Sequence, residues 1–245
     1  MPSPRSFKFG NIFTVAVFCA ALAAGPTLSR GAETDLEKEY IAAGIFETGL
    51  TLEMPKKAKC PEMTLGFASR LNRSGRMRSK RHGAYHAGVD WALPEGTPIL
   101  AVADGQVIDR DEELHKSRGK FVVIEHGSPH DGLYSSYVHL SGFNVNSNQA
   151  VKKGQVIGFV GKTGKGATYI HLHLNIFGKE TIRVGNRKWK YRYDYLQLLS
   201  GDMSPIDPAR KRQQKVKVAY MDQDGKVHPT GAKVIWPFAC ERKIN

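Results

Sequence analysis

The run Tyr169-Ile170-His171-Leu172-His173-Leu174-Asn175-Ile176-Phe177 decides the fold. It reads as a β-strand. A strand repeats every two residues, so His171 and His173 share one face. Two imidazoles on one face suit two metal ligands, or one ligand beside one acid–base group. Spacing alone leaves both options open.

Two motifs upstream join this pair. His86 and Asp90 are four apart, and Gly88 between them argues against a helix. A turn running into a strand would bring both side chains to one point. His139 follows the apolar run 134–138 and would lie on an adjacent strand. The residue types suit zinc. Histidine supplies neutral nitrogen, aspartate supplies anionic oxygen, and catalytic zinc commonly keeps three protein ligands and one position for water. Each motif alone occurs often by chance; the specific signal is the three together, in this order.

The surrounding texture is β. Residues 98–103, 106–109, 121–125, 133–140 and 156–160 read as strands. Asp104-Gly105 looks like the turn of a hairpin between the first two. Asp224-Gly225 looks like another, between 215–220 and 226–228, and 233–236 is the last strand candidate. No long run has helical period. Thr34 or Asp35 would cap a short helix reaching Ala43, with Leu36, Tyr40 and Ala43 on one face. The expected fold class is therefore mainly β, an antiparallel sheet core with a short helical lead-in.

The two ends carry further information. Arg5 and Lys8 precede an apolar run, and Ala21-Leu22-Ala23 is a small-x-small site, so residues 1–24 read as a signal peptide. The run falls short of the roughly 20 apolar residues a membrane span needs. Export places Cys60 and Cys240 in an oxidising compartment, where they form a bridge or remain two free thiols. The chain has 245 residues and a formal net charge of +13, which favours anionic partners such as an acidic cell envelope. The expected organisation is a lead-in at 25–62, a main domain at 63–210 and a C-terminal β extension at 211–245.

His86-x-x-x-Asp90, Tyr137-x-His139-Leu140 and His171-x-His173 resemble the motifs of the lysostaphin/LytM-type zinc endopeptidases of bacterial cell walls. The flanks match too: Gly66-Phe67-Ala68-Ser69-Arg70, Pro94-Glu95-Gly96-Thr97-Pro98, Ala103-Asp104-Gly105-Gln106-Val107 and Ile157-Gly158-Phe159-Val160-Gly161. The resemblance implies a barrel-sandwich-related antiparallel core, with zinc held by His86, Asp90 and His173. It implies His139 and His171 as the catalytic pair, and peptidoglycan as substrate, in the periplasm or outside the cell. Two positions depart from the family pattern. Tyr169-Ile170 stands where Gly-Pro is usual, and Asn175 where Glu is usual; neither is a ligand position.

Other readings carry less. Gly161-Lys162-Thr163 lacks the first glycine of a phosphate loop, because Val156 stands there. Gly127 and Pro129 prevent a ligating helix at His126 and His130, and Ser135 and Ser136 sit in no nucleophile elbow. The basic aromatic run 183–195 reads as a sheet edge with a solvated charged face. Nucleic-acid binding fits poorly with export. A carrier domain, suggested by the glycine-punctuated run 151–161, would have no use for the histidines. The alternative function is a non-catalytic wall-binding regulator of another hydrolase, against which all five key residues are present.

Overall fold

The computed structural model describes residues 34–78, 84–115, 117–184 and 187–243. The expected signal peptide lies outside them. No helix among the described residues is long and apolar enough to cross a membrane.

The chain opens with α1 (Asp35–Ala42), capped where the sequence suggests: the Thr34 hydroxyl accepts from the Glu37 N–H at 3.2 Å. Then come β1 (Leu50–Glu53), β2 (Ala58–Lys59), β3 (Val89–Trp91), β4 (Pro98–Leu100), β5 (Gly105–His115), β6 (Gly119–Glu125) and β7 (Leu133–Leu140). β8 (Gly142–Phe143), β9 (Ala150–Val151), β10 (Val156–Phe159), β11 (Leu172–Val184) and β12 (Arg187–Tyr193) follow. A short helix, α2 (Tyr195–Ser200), precedes β13 (Gln214–Lys217), β14 (Tyr220–Met221), β15 (Val227–His228) and β16 (Glu241–Arg242).

The fold is mainly β. Its central antiparallel sheet runs β12-β11-β7-β6-β5-β9, and β3 adds to β11. A smaller antiparallel sheet, β4-β10-β8, packs beside it. One pair is parallel, β1 with β13, where the lead-in meets the tail. The main core joins Val89, Trp91, Tyr137, Leu172, Leu174 and Ile176 of the sheet to Leu50 and Cys60 of the lead-in. Trp236 and Phe238 of the tail join the same core. Cys60 and Cys240 form a disulfide, and β2 pairs with β16 beside it.

Three local expectations change. Asp104-Gly105 does not turn a hairpin: β4 pairs with β10, and β5 with β6 and β9. Gly105 is needed for a close approach instead, because a Cβ there would collide with the carbonyl oxygen of Glu125. Residues 233–236 form no strand; their amides bond singly to separate segments, Ile235 to Val102 at 2.9 Å and Trp236 to Ala219 at 2.7 Å. Tyr195 does not continue β12 but begins α2, which is capped by the Asp194 carboxylate and closed by Gly201 in the left-handed region.

Candidate metal centre

Strand register brings the first two residues together. β3 lies antiparallel to β11 with His173 directly opposite Asp90. Side chains so paired have Cβ atoms about 4.5–5.5 Å apart. His171 lies two residues before His173 on the same face. His86 arrives on the turn before β3, its amide bonded to Ser69 O at 3.0 Å. Gly88 lets that turn lie against β11, where a Cβ would collide with the carbonyl oxygen of Leu174. His139 comes from the end of β7, the next strand over, with φ 69°. A left-handed non-glycine residue is strained by about 1–3 kcal/mol and is kept only where its surroundings fix it.

The fixing element is the turn after β10. Thr163 Oγ1 donates to Leu140 O at 2.7 Å, and Thr163 O accepts from His139 Nδ1 at 2.9 Å. The glycine-rich run 161–164 thus acts as a clamp on His139, a role its composition does not announce.

Backbone carbonyls set the tautomers. His86 Nδ1 donates to Gly66 O at 2.9 Å, and His171 Nδ1 donates to Tyr169 O at 2.8 Å. With His139 Nδ1 held by Thr163 O, all three rings keep Nε2 as the bare lone-pair nitrogen. His173 is turned the other way: its Nε2 is held by Asn175 Oδ1 at 3.1 Å, leaving Nδ1 bare. Asn175 therefore orients this ring as a glutamate would, without adding charge.

Three bare donors converge. His86 Nε2 lies 3.0 Å from His173 Nδ1 and 3.1 Å from Asp90 Oδ1, and His173 Nδ1 lies 2.7 Å from Asp90 Oδ1. No proton lies between them in these tautomers. Three lone pairs in mutual contact repel, and a cation among them removes the conflict. His86, Asp90 and His173 are thus a set that can hold a metal ion. His171 Nε2 stands 3.9 Å from Asp90 Oδ1, just outside it. The His139 and His171 rings lie side by side, centroids 4.8 Å apart.

Electrostatics match this division. Burial pushes the Asp90 carboxyl up, but the His173 and His86 rings beside it outweigh burial and hold the group well below the ordinary carboxylate range, as a carboxylate. Burial lowers the pKa of His86 and of His171. It also lowers His139 to about 4, with the charges of His173 and His171 adding to the effect. These imidazoles are neutral at pH 7, as metal ligation and proton acceptance both require.

Tyr169 completes the surround. Its ring stacks on His171 at 4.2 Å, its hydroxyl donates to Asp90 Oδ2 at 3.1 Å, and the Arg73 guanidinium sits 4.8 Å above it. Sequence marks Tyr169 only as a departure from a family pattern; nothing local points to Asp90 as its partner. His126 and Ser135 do meet, Nε2 to Oγ at 2.9 Å, but beneath the sheet. Ser135 is fully buried there, out of reach of any substrate.

Residues 84–184 match the model of peptidase family M23. This stretch is a peptidase family M23 domain. Within it lie all five residues of the site. The peptidoglycan DD-endopeptidase ShyA of Vibrio cholerae is 40% identical over 93 residues, which cover 38% of this chain and 20% of that protein. The glycyl-glycine endopeptidase ALE-1 of Staphylococcus capitis is 37% identical over 94 residues, covering 38% of this chain and 25% of that one. The chain thus matches a fifth to a quarter of the length of these curated relatives. The catalytic domain of the antimicrobial peptidase lysostaphin from Staphylococcus simulans aligns with 47% of this chain and 80% of its own, at 27% identity and TM-score 0.40.

Proposed function

We propose that this chain is an exported zinc-dependent endopeptidase that hydrolyses peptide bonds in the cross-links or stem peptides of peptidoglycan. The observation that carries the reading is the convergence of three unprotonated donors beside two neutral imidazoles. The M23 domain and the names of its relatives support peptidoglycan as substrate. The residues suit zinc. Tetrahedral donors about 2.0–2.1 Å from the ion stand roughly 3.3 Å apart, close to the separations above, and two nitrogens with one carboxylate oxygen are an ordinary zinc set.

In this reading His86, Asp90 and His173 hold the metal. Zinc supplies Lewis-acid chemistry, lowering the pKa of water toward about 7 and polarising a carbonyl. His171 and His139 do the proton work. Each is neutral at rest and each has its Nδ1 proton committed to a backbone carbonyl, so Nε2 accepts the proton of the attacking water. A proton held there is weakly bound in so buried a place and passes readily to the leaving amine. The protonated ring also stabilises the oxyanion that forms meanwhile. Asn175 and Tyr169 keep the rings of His173 and His171 in place. The basic charge of the chain favours an anionic envelope.

The test is to incubate the purified protein with peptidoglycan and identify the muropeptides released, with His171→Ala as control and zinc content measured in both. Zinc near one per chain and zinc-dependent release by the wild type only is the expected result. No zinc-dependent product, or equal release by the variant, overturns the reading.

A further inference from the structure

The face of β11 that carries His173 continues away from the metal centre through Asn175 to Phe177. Register sets Val138, Ser136 and Tyr134 of β7 beside these three residues, and Phe121 and Val123 of β6 beyond them. Phe121, Val123, Tyr134 and Val138 form a buried cluster separate from the main core, with Phe177 packed against it. Two arginines lie over this floor. Arg118 Cζ is 3.9 Å from the Phe121 ring centroid and Arg192 Cζ is 5.1 Å from that of Phe177. Arg192 faces Phe177 across the β11–β12 pair, so it belongs to the same side as His173.

β12 is the sheet edge that the sequence suggests and its Lys188 and Lys190 are exposed, but Arg192 is part-buried. Arg192 Nε is enclosed and has no hydrogen-bond partner, and neither has the Oγ of Ser136 on the same face. Burial, and then the charge of Arg118, both disfavour the charged form of Arg192. Among the described residues no carboxylate pairs with it. The acid at this end of the floor, Glu125, takes the Tyr134 hydroxyl at 2.7 Å. A guanidinium nitrogen closed off from water, in a residue that is otherwise part-buried, is normally paired, because an unpaired donor bears its desolvation cost uncompensated. Cation–π contacts return about 0.5–2 kcal/mol each, and they leave the guanidinium donors unused.

We propose that Arg192, at the Phe177 end of the floor, forms a carboxylate-binding subsite of the groove, which takes a free carboxylate of the substrate peptide, while Arg118, over Phe121 at the His173 end, adds to the positive charge of the floor. The inference rests on the peptidase reading and extends it. His173 and Phe177 are four strand residues apart, about 13 Å. An extended peptide spans that distance in about four residues. The recognised carboxylate therefore lies three or four residues from the bond cut, and Ser136 and Asn175 offer polar contacts on the way. A stem peptide with free carboxylates satisfies this spacing; a neutral peptide does not fill the subsite.

The test is binding, measured by calorimetry on the full chain with its metal removed, so that no turnover is involved. The probes are a synthetic acidic stem tetrapeptide and its fully amidated twin. The acidic peptide is expected to bind about ten- to a hundredfold more tightly, the range of a hydrogen bond to a charged group. Arg192→Gln is expected to erase that difference. Equal binding of the two peptides by the wild type, or a preference that survives Arg192→Gln, overturns the subsite. Should Arg192→Gln fail to fold, Arg118→Gln is expected to weaken the same preference. The Arg192 Nε–Hε resonance of the wild type should then shift with the acidic peptide only, and a resonance unmoved by it is equally fatal. Failure to release muropeptides would defeat the peptidase reading alone, since the binding preference is read without it.

Discussion

Replacing Tyr169 by Phe isolates one hydrogen bond at the proposed zinc site. The hydroxyl donates to Asp90 Oδ2 at 3.1 Å and so occupies the carboxylate oxygen that does not face His173. A hydrogen bond to a charged group contributes about 1.5–3 kcal/mol. Tyr169 is half-buried, so water replaces part of the loss and the low end applies. At about 1.4 kcal/mol per decade, zinc affinity falls about tenfold, the lower bound for partners that orient a ligand. The ring itself stays: its stacking on His171 and the carbonyl bond to His171 Nδ1 do not involve the hydroxyl. Turnover at saturating zinc is therefore nearly unchanged in Tyr169→Phe. Tyr169→Ala removes the stacked ring as well, leaves His171 held by the residue-169 carbonyl alone, and lowers turnover even when zinc is saturating. The assay pairs chelator competition for zinc with peptidoglycan hydrolysis at high zinc. A Phe variant that holds zinc as tightly as the wild type would refute the reasoning, as would Phe and Ala variants indistinguishable in both measurements.

Further outcomes follow from other parts of the molecule. His139→Ala and His171→Ala are each expected to lose about 10²–10⁴ in rate with zinc content intact, whereas His173→Ala loses the zinc; a zinc-free His171→Ala would reverse the assignment. Opening the Cys60–Cys240 bridge, which spans 180 residues of sequence, is expected to cost up to about 5 kcal/mol, read as a lower urea midpoint for the double Ala variant; an unmoved midpoint counts against it. Burial lowers the pKa of His126 from 6.5 to about 4, so the folded state disfavours the protonated ring that the unfolded chain takes up readily. Its contribution is whole above pH 6.5 and declines by about 3 kcal/mol as pH falls toward 4, and His126→Gln should flatten that part of the stability–pH curve.

The site was more legible than its surroundings. Strand periodicity alone placed His171 and His173 on one face, and Gly88 ruled out a helix at His86. Spacing gave no means of telling His171 from His173. That distinction comes from register: His173 stands opposite Asp90, and β3 pairs only with residues 172–174 of β11. The partial burial of Arg192 escapes the sequence for a related reason. Alternation correctly separates it from Tyr191 and Tyr193, but which face meets solvent depends on Phe177, fifteen residues away and on another strand. Gly105 looked like a turn because asparagine-like residues before glycine usually make one, whereas here the glycine answers to Glu125 across the sheet. α2 is too short for helical period to register; its signals were the Asp194 cap and Gly201. What local pattern misses in each case is a long-range partner.

The tail bears on the centre through β3. This strand has three residues, pairs with β11 on one edge and on the other meets Thr64 and Leu65 through bonds to Asp90 alone among the described residues. So short a strand holds its register weakly by itself, yet a ligand displaced by 1 Å can cost a hundredfold in rate. What steadies it is packing from behind. Val89 and Trp91, on either side of Asp90, are fully buried, and the Trp91 ring lies edge-on to Trp236 at 5.0 Å and to Phe238 at 5.8 Å. Trp236 in turn donates its indole N–H to Pro61 O at 2.8 Å, next to the cysteine that bridges to Cys240. The disulfide thus closes the segments on which β3 rests, so loosening it should disturb Asp90 before it disturbs His139 or His171, which the turn after β10 and the β11 backbone hold independently.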